Sequence, residues 1–426
     1  MKDREYKKIQ TADGLNVVVS PMPYMTSVSL GVWIGVGGRY ESKEKSGISH
    51  LIEHMLFKGT EKRSARVLKE AIEGIGGSLN GFTADEVTCY MVKVPYNYVD
   101  LGIEILSDMV LNAKMDEQDL AKEKLVVCEE IKMYRDQPQE YVFELLGGLM
   151  WPNDPLGRPL TGTIKTVQSF KRADLTGFRD DNYVPKNMSI VAAGKVDPDV
   201  VFRYASENFK RGGKKPAKFK TPEMKQKSAR SKFHDGETSQ SHIAMGFYAD
   251  GREMKNRYAL KLMSVILGGN MSSRLFEELR EKYGLCYDIA STYKRHHDVG
   301  EFIVHAGVDN KKLLRSVVAV LDELKKLKDL GVTNDELLRA KEFMKGQFLL
   351  ALESTSSRMM WFGDRLMVDD RIPDVSELLK LIDDVTAEDI KRVAENTFKS
   401  RMTNFAVVGK VSEKEKKNVK AELERL

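Results

Sequence analysis

The sequence predicts an α+β protein of two homologous domains, each an antiparallel sheet packed with helices and joined to the other by a linker. Three observations carry this. At 426 residues the chain is too long for one compact core. Three stretches recur at an offset of about 215 residues, roughly half the chain, which marks a duplicated domain rather than a solenoid. Within each half the order runs strand, helix, strands, long helices, then a helix and a strand.

Taken in order, SVSLGVWIGVGGR from Ser27 pairs with SHIAMGFYADGR from Ser241, each a strand ending in Gly-Arg. MDEQDLAKEKL from Met115 pairs with VTNDELLRAKE from Val332, aligning Leu120 with Leu337 and Lys124 with Lys341. NMSIVAAGKV from Asn187 pairs with RMTNFAVVGKV from Arg401, aligning Gly194 with Gly409. Segments 286–293 and 299–307 read as hairpin neighbours, which favours antiparallel pairing. Between the halves, Arg211 to Lys232 is basic, polar and broken by two prolines, as a linker is. The expected boundaries are residues 1–210, a linker over 211–232, and 233–426.

Composition excludes several classes. The 68 basic residues nearly balance the 63 acidic ones, so neither a nucleic acid nor a membrane surface is implied as partner. Cys89, Cys128 and Cys286 stand apart in apolar contexts without disulfide or metal spacing, as buried thiols in a reducing compartment do. The first residues have no apolar h-region and no apolar run reaches transmembrane length. The expectation is a cytoplasmic protein.

The chemistry gathers in SGISHLIEHMLFKGT, Ser46 to Thr60. Ile48, Leu51, Ile52, Met55 and Leu56 recur at helical spacing and Gly59 offers a stop. His50 and His54 stand four apart, so their imidazoles share one face, a two-point grip for zinc. Glu53 lies beside His54, near enough to such an ion to handle a water proton. A second helical stretch, Met115 to Pro138, has an apolar face of Leu120, Leu125, Val127 and Ile131, and carries Glu123 and Glu130 two turns apart on one side. Two histidines and a carboxylate leave a fourth tetrahedral position open, as in catalytic zinc sites.

The order His-x-x-Glu-His is the inverzincin signature, and here the chain resembles the pitrilysin-type zinc peptidases, in the branch that includes mitochondrial processing peptidase. In that family a ligand Glu follows the motif by about 76 residues; the resemblance makes Glu130 the third ligand of one zinc per chain and Glu123 a supporting carboxylate, and leaves Glu129 an ordinary solvated charge. Gly76 to Pro95 resembles the family's edge strand, to which a peptide adds itself as a further strand. Asn80 and Phe82 match its Asn-Ala-x-Thr positions as substrate-binding residues, with Gly81 in place of the usual Ala. Ser273 to Ser291 reads as a helix ended by Gly284 and then a strand. In it Arg280 and Tyr287 match the pair that family members place opposite the zinc, to bind substrate backbone and the oxyanion. PLGRPLTGT, from Pro155, resembles a structural loop.

The second half has lost the metal site: at the offset of 217, Glu130 falls opposite Gln347 and His54 opposite Met271. His234, His242 and His305 sit singly in strand-like contexts and read as hydrogen-bonded framework, and KRHHD with His296 and His297 as a hairpin loop. The resemblance spans nearly the whole chain and implies a zinc endopeptidase acting on peptides or unfolded polypeptide, with Glu53 as general base. It also implies a homodimer, each chain lending Arg280 and Tyr287 to its partner's zinc. The alternative is a non-catalytic core-like assembly subunit, since the same fold serves in respiratory complexes.

Overall fold

A computed structural model of the chain describes residues 6–210, 212–213, 219–252, 254–368 and 372–426. Much of the sequence's linker, residues 211 and 214–218, lies outside them. The strands are β1 (Lys7–Gln10), β2 (Asn16–Pro21), β3 (Ser27–Ile34), β4 (Ser78–Thr83), β5 (Thr88–Pro95), β6 (Met188–Gly194), β7 (Arg230–His234), β8 (Gln240–Asp250), β9 (Cys286–Arg295), β10 (Val299–Asp309) and β11 (Asn404–Val408). The helices that carry and cover the sheets are, in chain order, α1 (Ile48–Leu56), α2 (Val99–Asn112), α3 (Glu117–Arg135), α4 (Pro138–Met150), α5 (Arg257–Gly268), α6 (Leu313–Leu330), α7 (Asn334–Ala351) and α8 (Thr355–Val368).

The chain forms two compact units. The first comprises Met1–Ile131, Pro159–Phe219 and Phe348–Asp374; the second comprises Lys132–Arg158, Lys220–Gln347 and Val375–Leu426. Each unit therefore takes one helix from the other half of the sequence: α8 belongs to the first and α4 to the second.

The first unit has a six-stranded sheet in the order β1-β2-β6-β3-β5-β4. Its pairing is antiparallel except where β2 runs parallel to β6. Strand β3 shows how both faces are used. Leu30, Val32 and Ile34 point to the side where Leu51, Ile52, Met55 and Leu56 of α1 pack with Ile105 and Leu106 of α2, all fully or nearly fully buried. Between them, Trp33 points to the opposite face and packs with Met359 and Phe362 of α8. Two glycines permit that approach: a Cβ on Gly363 would lie 1.9 Å from the Trp33 ring, and one on Gly31 would lie 2.5 Å from Met359 Sδ. Ser29 Oγ bonds Thr355 Oγ1 and Ser356 Oγ at 3.0 Å each, fixing the start of α8.

The second unit repeats the plan with a five-stranded sheet, β7-β11-β8-β10-β9, again with one parallel pair, β7 with β11. The hairpin expected over 286–307 is β9–β10. On one face Ala244 and Tyr248 pack with Leu146 and Met150 of α4. On the other, the Phe247 and Phe302 rings stand edge-on to Phe398.

Two readings from the sequence are corrected. Leu125 is 66 % exposed rather than part of the apolar face of α3, whose buried line is Leu120, Val127, Cys128 and Ile131. Five residues from Leu120 turn a helix by about 500°, which swings Leu125 well off that line. Met271 is likewise not the counterpart of His54, since it lies beyond the end of α5. Matching the buried Leu262, Met263, Ile266 and Leu267 of α5 to Leu51, Ile52, Met55 and Leu56 of α1 gives an offset of 211. His50 and His54 then fall opposite Lys261 and Val265.

Candidate metal centre

Helix α1 begins at Gly47, whose φ of 92° is left-handed and whose Cα lies against Gly162; a Cβ on Gly47 would meet the Gly162 Cα at 2.8 Å. The end of PLGRPLTGT thus buttresses the start of the helix, and the Thr166 hydroxyl adds a bond to the Ser46 carbonyl at 2.8 Å. No side chain of the cap residue serves the first N–H groups. Glu41 does so from the preceding loop: its carboxylate accepts from Gly47 N at 2.7 Å and from Ser49 N at 2.8 Å, and it is buried. An anion at this end also meets the positive pole of the helix. Sequence reasoning missed Glu41, because a cap six residues ahead of the helix has no fixed spacing to read.

From α1 and α3 four side chains converge. His50 Nε2 lies 3.7 Å and His54 Nε2 3.5 Å from Glu130 Oε2. Among the described residues, His50, His54 and Glu130 form the one group of three whose ligand atoms all lie within 4.8 Å of one another. His54 Nδ1 is 3.1 Å from Glu123 Oε2, and Glu123 Oε1 meets Lys58 Nζ at 2.5 Å. Glu123 is buried, which pushes its carboxyl up, but His54 and Lys58 outweigh this and hold it below its ordinary value. An ionised Glu123 only accepts, so Nδ1 keeps its proton for that bond, and it is Nε2, facing Glu130, that must give up its proton to offer a lone pair.

The two imidazoles differ. Burial, with His54 beside it, lowers the His50 pKa to about 4, and Glu130 offsets part of that. Burial also lowers that of His54, but Glu123 and Glu130 reverse the effect and raise it to about 9. Binding a cation here displaces the His54 proton. Two imidazole nitrogens, one carboxylate oxygen and a carboxylate fixing one ring from behind suit zinc, and the donor set fits that ion.

Glu53 faces the same space. Its Oε2 accepts from the Thr83 hydroxyl at 2.9 Å, and burial raises its pKa against the pull of Thr83 and His54. Thr83 ends β4, an edge strand of the sheet. Alternation then places Gly81 on the Thr83 side and Asn80 and Phe82 on the other. Phe82 stands edge-on to Trp33 at 5.7 Å, and Asn80 is exposed with its Oδ1 accepting the Gly81 N–H at 2.8 Å. A Cβ on Gly81 would lie 3.2 Å from the Phe57 ring, so a side chain there would press on that ring. Glu129 is exposed.

Arg280 and Tyr287 belong to the second unit. Arg280 lies on a π-helical stretch, Phe276–Lys282, with its guanidinium carbon 4.8 Å from the Tyr287 ring centroid. Tyr287 is 74 % exposed on the edge strand β9. Gly307 pairs with Asp288 but Val308 with Cys286, so Tyr287 is the extra residue of a bulge. Bulges re-aim side chains in this way. Among the described residues no helix is long and apolar enough to cross a membrane.

Residues 16–164 match the family model described as insulinase (peptidase family M16), and residues 169–344 match that of the peptidase M16 inactive domain. The chain is 35 % identical over 399 residues to the uncharacterized zinc protease YmxG of Bacillus subtilis, covering 92 % of this chain and 95 % of that one. It is 33 % identical to an uncharacterized zinc protease of Streptomyces coelicolor, over 94 % of this chain and 89 % of that one. Among solved structures it is similar to a protease from Helicobacter pylori, with a TM-score of 0.88 at 26 % identity, covering 95 % of this chain and 99 % of that one. A chain of complex III2 from Candida albicans shares the fold at 18 % identity, with a TM-score of 0.86 over 98 % and 99 % of the two chains.

Proposed function

We propose, from the premise that the chain belongs to the insulinase family of M16 peptidases, that it is a zinc-dependent endopeptidase acting on peptides and unfolded polypeptide segments. The observation that carries the reading is the convergence of His50, His54 and Glu130, with Glu53 close enough to feel the charge of His54 and Glu130. The three would hold one zinc per chain. When bound, the ion polarises the scissile carbonyl and acidifies water.

The rest falls to the protein's own groups. Glu123, held by Lys58, keeps the His54 ring in one tautomer and one orientation. Thr83 pins one oxygen of Glu53, which leaves Oε1 to take the proton of the attacking water and pass it to the leaving amine. Its raised pKa suits that exchange, because a base that binds its proton more firmly at neutral pH accepts it more readily. The β4 edge runs to Thr83, so a peptide added along it would pass Glu53 in extended form, held by main-chain bonds. Gly81 and its neighbours would contribute backbone there, with Asn80 releasing the Gly81 N–H it now accepts.

Tyr287 and Arg280 would meet the oxyanion and the substrate backbone. The exposure of Tyr287 on a bulged edge strand, with the Arg280 guanidinium beside its ring, supports a role in which the pair faces something outside its own unit. The resemblance points to a homodimer in which each chain supplies them to its partner's zinc.

A quenched, unstructured peptide assayed with zinc tests the reading. Cleavage that a chelator abolishes and zinc restores is expected, with a folded domain spared and its unfolded form cut. A zinc-loaded protein that cleaves no peptide is instead a non-catalytic assembly subunit. The partner exchange is tested by mixing Glu53→Gln and Tyr287→Phe chains. Half the dimers are then mixed and each has one intact site of two, so roughly a quarter of wild-type activity returns. No rescue with subunit exchange confirmed refutes the shared site.

A further inference from the structure

On the face of its sheet that α4 covers, the second unit brings two histidines and an aspartate together, none of them used in the mechanism above. His242 on β8 stands opposite Gly307 on β10, and Gly307 stands opposite Asp288 on β9. His305 lies two residues before Gly307, hence on the same face, with Nδ1 4.0 Å from Asp288 Oδ2. Three adjacent strands thus arrange two imidazoles and a carboxylate around one glycine. A Cβ on Gly307 would lie 3.2 Å from Gln240 Oε1, 3.5 Å from His242 Cε1 and 3.7 Å from His242 Nδ1. Lacking it, the sheet has a small bowl at that point, bordered by His242, His305, Asp288 and Gln240. Glu140, in the first turn of α4, acts electrostatically on His305 from above.

We propose that this bowl is a second site for a divalent transition metal, with His242, His305 and Asp288 as ligands and an oxygen from Gln240 or Glu140 completing the shell. The donor chemistry selects the class: imidazole with carboxylate suits zinc, manganese, iron or nickel, whereas calcium and magnesium take oxygen ligands. The span is suitable. His242 and Asp288 are two strands apart, about 9–10 Å between backbones. An imidazole and a carboxylate reaching inward, each with a metal bond of about 2 Å, cover that distance.

The cluster is looser than the first centre, whose ligand atoms already lie within 4.8 Å of one another. It closes by rotation of Asp288, whose side chain is 71 % exposed, and of the His242 ring. Metal here would tie β8, β9 and β10 together at the bulge, and would fix the residue that follows Tyr287. The binding itself does not depend on the activity proposed above.

The test is a metal count on the full chain, stripped with chelator, dialysed against excess zinc and measured by mass spectrometry. Wild type is expected to hold two equivalents, and Asp288→Asn and His305→Gln one each. The double variant His50→Ala/His54→Ala is expected to keep one, lost only when Asp288→Asn is added. Asp288 is exposed and accepts no backbone N–H, so its variant folds and keeps the experiment decisive. A wild-type count of one that His50→Ala/His54→Ala abolishes overturns the site. So does a second equivalent that survives both Asp288→Asn and His305→Gln. Should the first centre fail instead, wild type keeps one equivalent that Asp288→Asn removes.

Discussion

Glu41→Gln probes how the helix bearing both histidines is held. The Glu41 carboxylate accepts two backbone N–H bonds, at 2.7 and 2.8 Å, from a buried position. Hydrogen bonds to a charged group contribute roughly 1.5–3 kcal/mol each, and a charge at a helix end up to about 2 kcal/mol in partly buried geometry. Glutamine keeps one carbonyl oxygen but turns an NH2 toward the second N–H, so one bond and the charge are lost together. These contributions overlap, and a loss of about 2–3 kcal/mol in unfolding free energy is expected, with Glu41→Ala larger by about 1 kcal/mol. Part of it appears at the metal, because Ser49, one of the two donors, directly precedes His50. A tenfold weaker zinc affinity corresponds to about 1.4 kcal/mol of that loss. Urea denaturation measures the first quantity and competition with a chromophoric chelator the second. Glu73→Gln, an exposed change at the end of another helix, is the control. A Glu41→Gln protein within about 0.5 kcal/mol of wild type, with unchanged zinc affinity, would refute the role.

Other expectations are narrower. Glu130→Gln loses zinc retention by metal analysis, whereas Glu129→Gln keeps it, since neighbours on a helix point about 100° apart; the reverse result would shift the ligand by one residue. In the second unit, Arg274 bonds Glu336 at 2.6 and 2.9 Å and, with the Thr333 backbone, holds its carboxyl down to about 2 from an ordinary 4.5. A depressed carboxyl stabilises above its unfolded value and loses this as pH falls through the folded one. Solvent screening discounts the pair to roughly 1 kcal/mol. Glu336→Gln is therefore less stable than wild type by about that much at pH 7, and the gap closes as pH falls from 4.5 toward 2; a gap independent of pH contradicts the assignment.

How much was legible in the sequence depended on whether the cause was local. His50 and His54 could be read because four residues on a helix fix a shared face whatever the fold. That Glu123 and Glu130 share one side of their helix followed from the same geometry, but that this side meets the histidines came only from the family resemblance. The duplication showed through repeated strand and helix patterns. The exchange of α4 and α8 did not, because an amphipathic stripe such as Leu146–Met150 or Met359–Phe362 states that a face is buried and not which sheet buries it. Gly363 carries the missing information, but only once Trp33 is known to lie against it. The parallel β2–β6 and β7–β11 pairs, and the extra residue at Tyr287, are likewise matters of register between distant strands. The equivalence of His54 with Val265 was obscured by a change of six residues in the spacing between the repeated helices.

The most direct test of the account is the turnover of Glu53→Gln on an extended peptide with zinc content measured in the same sample. Glutamine preserves size and helix propensity but cannot take a proton. A fall of at least ~100-fold in kcat with zinc still bound is expected. Full turnover by the zinc-replete variant would contradict it.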